Sequence, residues 1–179
     1  MSTRNLPAVC ALLLVTACAT PVDQPRPGLG QPITAADLAP WDISVLPDGR
    51  GLPPGSGTAR TGAVLYANKC AACHGVNGTG GSASGVAAKG PITSINGAEK
   101  TIGNFWPVST TLFDFIRRAM PWQQPKTLSA DETYALTAYI LHMNKLVGED
   151  DVINASTLPA VKMPNRDGFI ARFPELMPR

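Results

Sequence analysis

The sequence predicts an all-α fold in which helices form one small domain, with irregular arms at both ends. Three segments carry apolar residues at helical spacing. The 179 residues give room for one domain with flanking arms rather than for two domains with separate cores. Glycine and proline, 17 each, indicate long irregular stretches, and aromatic residues at 6% indicate a modest core.

The charge balance is close to neutral. Lys and Arg number 15 against 13 Asp and Glu, which gives a formal charge of +2. This charge is too small and too dispersed to hold a polyanion, so the sequence argues against nucleic acid as a partner.

Residues 1–17 have the pattern of a bacterial signal peptide of the lipoprotein type. A charged start, Arg4, precedes an apolar run that is too short to span a membrane. The run ends Val15-Thr16-Ala17-Cys18, which resembles a lipobox. This predicts a lipid on Cys18 and a periplasmic protein anchored to a membrane. The alternative is ordinary secretion with cleavage after Ala19, and both place the mature protein outside the cytoplasm.

The segments on either side of the predicted domain lack a periodic pattern. Residues 18–32 are rich in proline and glycine and are predicted to be a flexible linker. Residues 33–57 combine scattered apolar side chains with turn signals, which predicts an N-terminal arm with little regular structure. Residues 147–179 contain four prolines and are predicted to form an extended C-terminal tail.

The domain itself is predicted at residues 58–146 and contains three helices. The first runs from Thr58 to Lys69. Residues 70–74 follow it, and after them comes a long polar loop rich in glycine and serine. The second runs from Thr110 to Ala119 and ends ahead of a proline. The third begins at Ser129, which forms a capping box with Glu132. Its apolar stripe is Leu136, Tyr139, Ile140 and Met143.

Two of the four cysteines belong to the leader region. Cys10 lies within the signal peptide and Cys18 is the predicted lipid site, so the mature fold keeps Cys70 and Cys73. They belong to Cys70-Ala71-Ala72-Cys73-His74, the attachment signature of c-type haem. The two thiols add across the haem vinyl groups, and the adjacent His74 reaches the iron as an axial ligand. The motif therefore predicts one covalent haem c.

Two other interpretations of this motif are weaker. A structural zinc site needs four ligands, and the chain offers only the two cysteines, His74 and His142. Cys73 and His74 are sequence neighbours, which strains a shared tetrahedron. A redox dithiol normally follows a strand in a βαβ unit, whereas a predicted helix precedes Cys70.

The second axial ligand must come from elsewhere in the chain. The candidates are Met120, Met143, Met163, Met177 and His142. Met120 is the best placed, because it lies in a loop between two predicted helices and its side chain is free to reach the haem face. Met143 and His142 lie within the third helix, and the other two methionines lie in the tail, where packing or surface roles are expected.

From about Thr58 to Met143 the chain resembles a class I cytochrome c. The similar residues are Gly62, Tyr66, the attachment motif with Gly75, Gly90-Pro91, Met120-Pro121 and Ala138-Tyr139-Ile140. The resemblance implies the class I cytochrome c fold, in which three to five helices surround one covalently bound haem, and it implies that the first and last helices cross where Gly62 meets Tyr139.

The same resemblance implies roles for two residues beside the haem. The carbonyl of Pro91 accepts a hydrogen bond from the free ring nitrogen of His74 and orients the ring. Trp106, which follows Asn104 and Phe105, donates its indole N–H to a haem propionate. The alternatives are an ordinary Gly-Pro turn for Pro91 and plain core packing for Trp106.

A narrower resemblance extends into both arms. It is carried by 41–57, by 105–121 and by 163–169, which together resemble the cytochrome subunit of periplasmic sulfite or sulfur dehydrogenases. The resemblance implies a molybdenum-containing dehydrogenase subunit that oxidises the substrate and passes electrons to this chain. A downstream cytochrome or oxidase would then receive them. Trp41, Phe169 and Phe173 in the arms are predicted anchors for docking to the dehydrogenase, with coverage of the domain's own core as the alternative.

One haem without a second metal set limits the chain to one-electron steps, and no nucleophile, base and orienter constellation is present. The sequence therefore predicts an electron-transfer protein rather than an enzyme by itself. Two alternatives stay open. One is a free-standing lipoprotein shuttle to a respiratory oxidase, and the other is a haem-based sensor or peroxidase-like enzyme, which needs an open sixth position on the iron.

Overall fold

The computed structural model describes residues 28–87, 90, 99–170 and 172–173. The signal peptide, Cys18, most of the predicted linker, Pro91 and Met177 lie outside these residues. The chain divides into two units, Met1–Pro40 and Trp41–Arg179. No helix among the described residues has the length and apolar character needed to cross a membrane.

The described part of the first unit contains one short helix, α1, at Ala35–Leu38. Thr34 caps it, because its side chain accepts from the Asp37 backbone N–H at 3.3 Å while its own N–H donates to the Asp37 carboxylate at 2.8 Å. The prediction of little regular structure across 33–57 overlooked this capping box, which is readable as Thr-Ala-Ala-Asp in the sequence.

The second unit is mainly helical, as predicted. Its helices are α2 (Ala59–Lys69), α3 (Ala71–His74), α4 (Ser109–Ala119) and α5 (Ala130–Met143), followed by a 3-10 turn at Leu158–Ala160. The three predicted helices are confirmed, with all three starts and the ends of the first two within one residue of the prediction. Two strands of two residues each, β1 (Ser56–Gly57) and β2 (Ile153–Asn154), pair antiparallel. The sequence does not predict this pairing, because two residues are too short for an alternating pattern.

Helix α5 is the centre of the core. Every residue from Thr133 to Ala138 is buried, so the helix is enclosed by neighbours on all sides over nearly two turns. The predicted capping box is present, with Ser129 N–H donating to Glu132 at 2.9 Å and Glu132 N–H donating to the Ser129 hydroxyl at 3.1 Å. The start of the helix is therefore fixed by local sequence, and its burial by tertiary packing.

Helices α2 and α5 cross where the resemblance places the contact. A Cβ on Gly62 would overlap the backbone carbonyl oxygen of Ala135 and lie 2.8 Å from the Cβ of Tyr139. One turn further along, the rings of Tyr66 and Tyr139 pack with centroids 5.2 Å apart. Only glycine allows the two backbones to come this close.

The compact unit is longer than the predicted domain at 58–146. Ile153, Leu158 and Met163 from the predicted tail are buried in the core, and Val45 and Leu52 from the predicted arm pack against it. The Ser109 hydroxyl on α4 donates to the Leu158 carbonyl at 2.6 Å, which ties the tail to a core helix. Burial of these apolar side chains stabilises a small domain that would otherwise lack core area.

Candidate functional site

A cavity of about 450 Å³ lies inside the second unit. Helices α2 to α5 and the loops at 82–86, 100–106 and 120–123 contribute its walls. Five of the residues predicted for the site line it together: Cys70, Cys73, His74, Trp106 and Met120. Most other wall residues are apolar, among them Ile102, Leu112, Ile116, Leu128, Leu136 and Ile140.

Helix α2 delivers the attachment motif to the cavity. It ends at Lys69, and Cys70 serves both as its C-cap and as the N-cap of α3, which carries Cys73 and His74. The hydroxyl of Tyr66 donates to the Gly75 carbonyl at 3.0 Å, so a buried side chain of α2 holds the end of α3. Both thiols and the imidazole are thereby placed by two consecutive helices.

The imidazole of His74 is oriented by a backbone carbonyl. Its Nδ1 lies 2.8 Å from the oxygen of Ser84. A carbonyl only accepts, so Nδ1 carries the hydrogen and Nε2 is left with the lone pair that a metal needs. The resemblance assigned this hydrogen bond to Pro91, which lies outside the described residues. In the structure the bond goes to Ser84, because the long polar loop folds back and Ala83 N–H donates to the Cys73 carbonyl at 2.8 Å.

The electrostatics of the motif disfavour a reactive dithiol. Burial raises the pKa of the Cys70 thiol to about 11, against the lowering effect of the Lys69 charge and with a smaller raising effect from Cys73. Redox-active thiols have lowered pKa values, because the thiolate is the reactive form. Burial likewise raises the pKa of Tyr66 to about 12, which keeps its hydroxyl protonated as a donor.

The structure does not assemble the four ligands that the alternative of a structural zinc site needs within the described residues. Within the described ranges, no three His, Cys, Asp or Glu side chains gather closely enough to hold a metal ion. His142, the fourth ligand that zinc would need, has its Nδ1 3.0 Å from the carbonyl oxygen of Val147 and lines a separate groove.

Among the candidate distal ligands, Met120 lines the cavity. It is the half-buried C-cap of α4, and its extended backbone turns the chain out of the helix at that point. Met163 is only 4% exposed and belongs to the hydrophobic core, and Met143 is partly buried against the same core. Two thiols, one imidazole nitrogen and one thioether sulfur around an apolar cavity fit a covalent haem with His/Met ligation.

Trp106 packs edge-on against Phe115, with ring centroids 5.8 Å apart and an interplanar angle of 87°. Both side chains line the cavity, and Phe115 is also 46% exposed. The packing role predicted as the alternative for Trp106 is therefore present, and the propionate role stays a prediction.

Ser84 and Glu99 were not among the residues predicted for the site. Ser84 sits in a loop of glycine and serine with no periodic signal, so nothing in the sequence singles it out. Glu99 accepts a hydrogen bond from the Gly85 N–H at 2.9 Å. It is the only acidic residue between Asp48 and Asp114, and that isolation is a signal the sequence does contain.

Comparisons with known proteins agree with this geometry. A family model described as cytochrome c matches residues 59–144. A solved structure, the sulfane dehydrogenase SoxCD from Paracoccus pantotrophus, contains a chain that is 38% identical to this one, with a TM-score of 0.76. The match covers 84% of this chain and 75% of that one, and so extends beyond the family domain into the flanking segments. No curated protein sequence matches.

Proposed function

The chain belongs to the cytochrome c family, whose cofactor is covalent haem c, and we propose that it carries single electrons between a periplasmic dehydrogenase and a later acceptor. The observation that carries the proposal is the meeting of Cys70, Cys73, His74 and Met120 in one apolar cavity. Haem c bound there supplies a one-electron iron couple.

The four site residues and the apolar walls of the cavity each contribute to haem binding. Cys70 and Cys73 would hold the group through two thioether bonds, and His74 would bind the iron with the nitrogen that Ser84 leaves free. Met120 would bind the iron through its thioether sulfur, which favours a raised potential suited to an electron acceptor. The apolar walls exclude water, and this exclusion helps to set the potential.

The proposed electron donor is a molybdenum-containing sulfite or sulfur dehydrogenase subunit. Two features support it: the resemblance in both arms and the similarity to a chain of a sulfane dehydrogenase structure. Both arms also carry exposed aromatic side chains, since Trp41, Phe169 and Phe173 are all at least half exposed. Exposed aromatic side chains are the usual anchors of protein interfaces.

Co-purification tests this partner. A tagged version of the full-length chain, expressed in its own host, is expected to bring down a molybdenum protein that reduces it when sulfite or a reduced sulfur compound is added. Recovery of the cytochrome without such a protein, under conditions that preserve weak complexes, would favour the free-standing shuttle.

The protein is further proposed to be periplasmic and anchored through a lipid on Cys18. The signal-peptide pattern and the lipobox support this location. Cys18→Ser is expected to release the protein from the membrane fraction. Unchanged fractionation with a mature N-terminus at Thr20 would support simple secretion.

Mass spectrometry and optical spectroscopy test the haem assignment. Protein from a host competent in haem attachment should carry the mass of one haem after denaturation, and its ferric spectrum should be six-coordinate and low-spin. A high-spin ferric spectrum would instead support the sensor or peroxidase-like alternative, which needs an open coordination position.

A further inference from the structure

One peptide group links a carboxylate to the imidazole of His74. The Ser84 carbonyl accepts from His74 Nδ1 at 2.8 Å. The N–H of the same peptide unit belongs to Gly85, and it donates to Oε1 of Glu99 at 2.9 Å. The peptide unit is planar and conjugated, so its two ends are electronically coupled.

We propose that Glu99 is a positioning residue that acts through the Ser84–Gly85 peptide group, strengthens the hydrogen bond to His74 and thereby lowers the reduction potential of the haem iron. The inference rests on the proposed ligation of haem by His74 and is independent of the dehydrogenase partner.

The chemical reason is cooperative polarisation. A carboxylate that accepts the Gly85 N–H makes a charge-assisted hydrogen bond, which draws electron density toward the Ser84 oxygen. A more negative oxygen is a stronger acceptor for the Nδ1 hydrogen. The imidazole then gains anionic character and becomes a stronger donor to the metal, which favours ferric over ferrous iron.

The loop around this peptide group is held on both sides. Val86 N–H donates to the Gly78 carbonyl at 2.8 Å, and the Asn144 side-chain amide donates to the Val86 carbonyl at 3.0 Å. Together with the bond from Ala83 to Cys73, these contacts leave the Ser84–Gly85 peptide little freedom to rotate.

Glu99 is exposed, and its backbone is held by Asn104. The Asn104 side-chain amide donates to the Glu99 carbonyl at 3.0 Å, while its oxygen accepts from the Thr101 N–H at 2.7 Å. Gly85 is buried, and a Cβ there would lie 2.5 Å from the Glu99 Oε1. The missing side chain at residue 85 therefore leaves the space in which the carboxylate reaches the amide.

Two substitutions separate the charge of Glu99 from its hydrogen bond. Glu99→Gln removes the charge and keeps an acceptor of the same shape. Gly85→Ala keeps the charge but pushes the flexible carboxylate away from the amide, at a position whose backbone conformation accepts alanine. In redox titrations of the haem-loaded protein, each variant is expected to raise the ferrous-to-ferric ratio at a fixed ambient potential.

The double variant tests whether both substitutions act through the same hydrogen bond between Gly85 and Glu99. Once Gly85→Ala has displaced the carboxylate, adding Glu99→Gln should have a smaller effect than it has alone. Glu149→Gln is the control, because it removes a surface carboxylate that pairs with Arg60 at 3.3 Å, and it should leave the ratio unchanged.

Nuclear magnetic resonance of the diamagnetic ferrous protein gives a second measurement. It reports on the hydrogen bonds themselves rather than on the electrostatic effect of the Glu99 charge on the iron. The signal of His74 Hδ1 should shift upfield in each variant, and the signal of the Gly85 amide hydrogen should shift upfield in Glu99→Gln, as the hydrogen bonds weaken. One result would overturn the proposal in favour of a simple charge effect. In that result the reduction potential changes in Glu99→Gln, while the Hδ1 chemical shift of that variant and the potential of Gly85→Ala stay as in the wild type. Unchanged potentials in both single variants would also overturn it. A wild-type protein that is not low-spin would instead contradict the proposed function.

Discussion

Gly62 is the residue that sets the spacing between helices α2 and α5. Alanine is the better helix former by about 1 kcal/mol, so helix propensity alone favours a substitution there. The Ala135 carbonyl and the Tyr139 side chain fill the space that a methyl group would need. Close packing therefore opposes helix propensity at this position.

Gly62→Ala is expected to lower the free energy of unfolding by about 1–3 kcal/mol, because the added methyl group forces the two helices apart. Urea denaturation of the haem-loaded protein measures the change. The control is Ala67→Gly on the exposed face of α2, which should cost about 1 kcal/mol through propensity alone. A Gly62→Ala protein as stable as the wild type would contradict the close contact.

Met120→Ala is expected to abolish the weak charge-transfer band of a methionine–Fe(III) bond at the red edge of the visible spectrum. The potential should fall by on the order of 0.1 V or more, since axial ligands alter haem potentials over a range of about 0.8 V. Met143→Ala, at a partly buried methionine outside the cavity wall, serves as the control and should keep the band. Loss of the band in Met163→Ala, with retention in Met120→Ala, would reassign the ligand.

At the scale of the element, helix α5 begins at a capping box that the local sequence encodes, and its middle turns are buried on all sides. The Glu132 carboxylate contributes to that start by accepting from the Ser129 N–H, and it also lies 3.7 Å from the Lys69 ammonium on α2. The hydrogen bond from the Ser129 backbone is the largest cause of a lowered Glu132 pKa, and the Lys69 charge adds to it. The folded state therefore favours the ionised carboxylate.

This lowered pKa predicts a pH-dependent effect of Glu132→Gln. A group with a depressed folded pKa stabilises the protein above its unfolded pKa, here near 4.5, and loses that contribution as the pH falls through the folded value. Glu132→Gln should thus be less stable than the wild type near pH 7, and the difference should shrink below pH 4.5. Thermal melts across pH 3–7 measure this, and a difference independent of pH would assign the effect to the hydrogen bond alone.

At the scale of the whole molecule, the C-terminal segment has two parts. Up to Met163 it belongs to the core, through Ile153, Leu158 and Met163 itself. Beyond that point Phe169 remains half exposed, with its ring against Phe105 at 5.3 Å between centroids. A deletion that tests docking must therefore begin after the core part ends.

Removal of Phe169–Arg179 is expected to leave the haem spectrum and stability near wild type while slowing electron transfer from the dehydrogenase. Loss of an interface anchor of this kind weakens binding by about tenfold or more. Val64→Ala provides a control, since Val64 is an exposed apolar residue on α2. A deletion that begins at Val161 removes core residues and should unfold the protein. Unchanged transfer without residues 169–179 would show that the exposed aromatics there do not dock.

Local patterns in the sequence were sufficient for the three main helices, the capping box at Ser129 and the attachment motif. Each of these is decided by residues within a few positions of one another, through hydrogen-bonded caps, helical periodicity or the spacing of two thiols and an imidazole. The resemblance to class I cytochromes added the contact between Gly62 and Tyr139, which the structure confirms.

The tertiary structure alone decided the partner of His74 and the extent of the core. Ser84 and Glu99 reach the site only because a loop without periodic sequence folds back on the attachment motif. The burial of Leu158 and Met163 likewise depends on contacts with α4 and with residues far away in the sequence. The sequence by itself determined that the chain binds haem c, because the attachment motif lies within five consecutive residues. The backbone groups that orient His74 are brought to it by long-range packing, which a short run of residues does not encode.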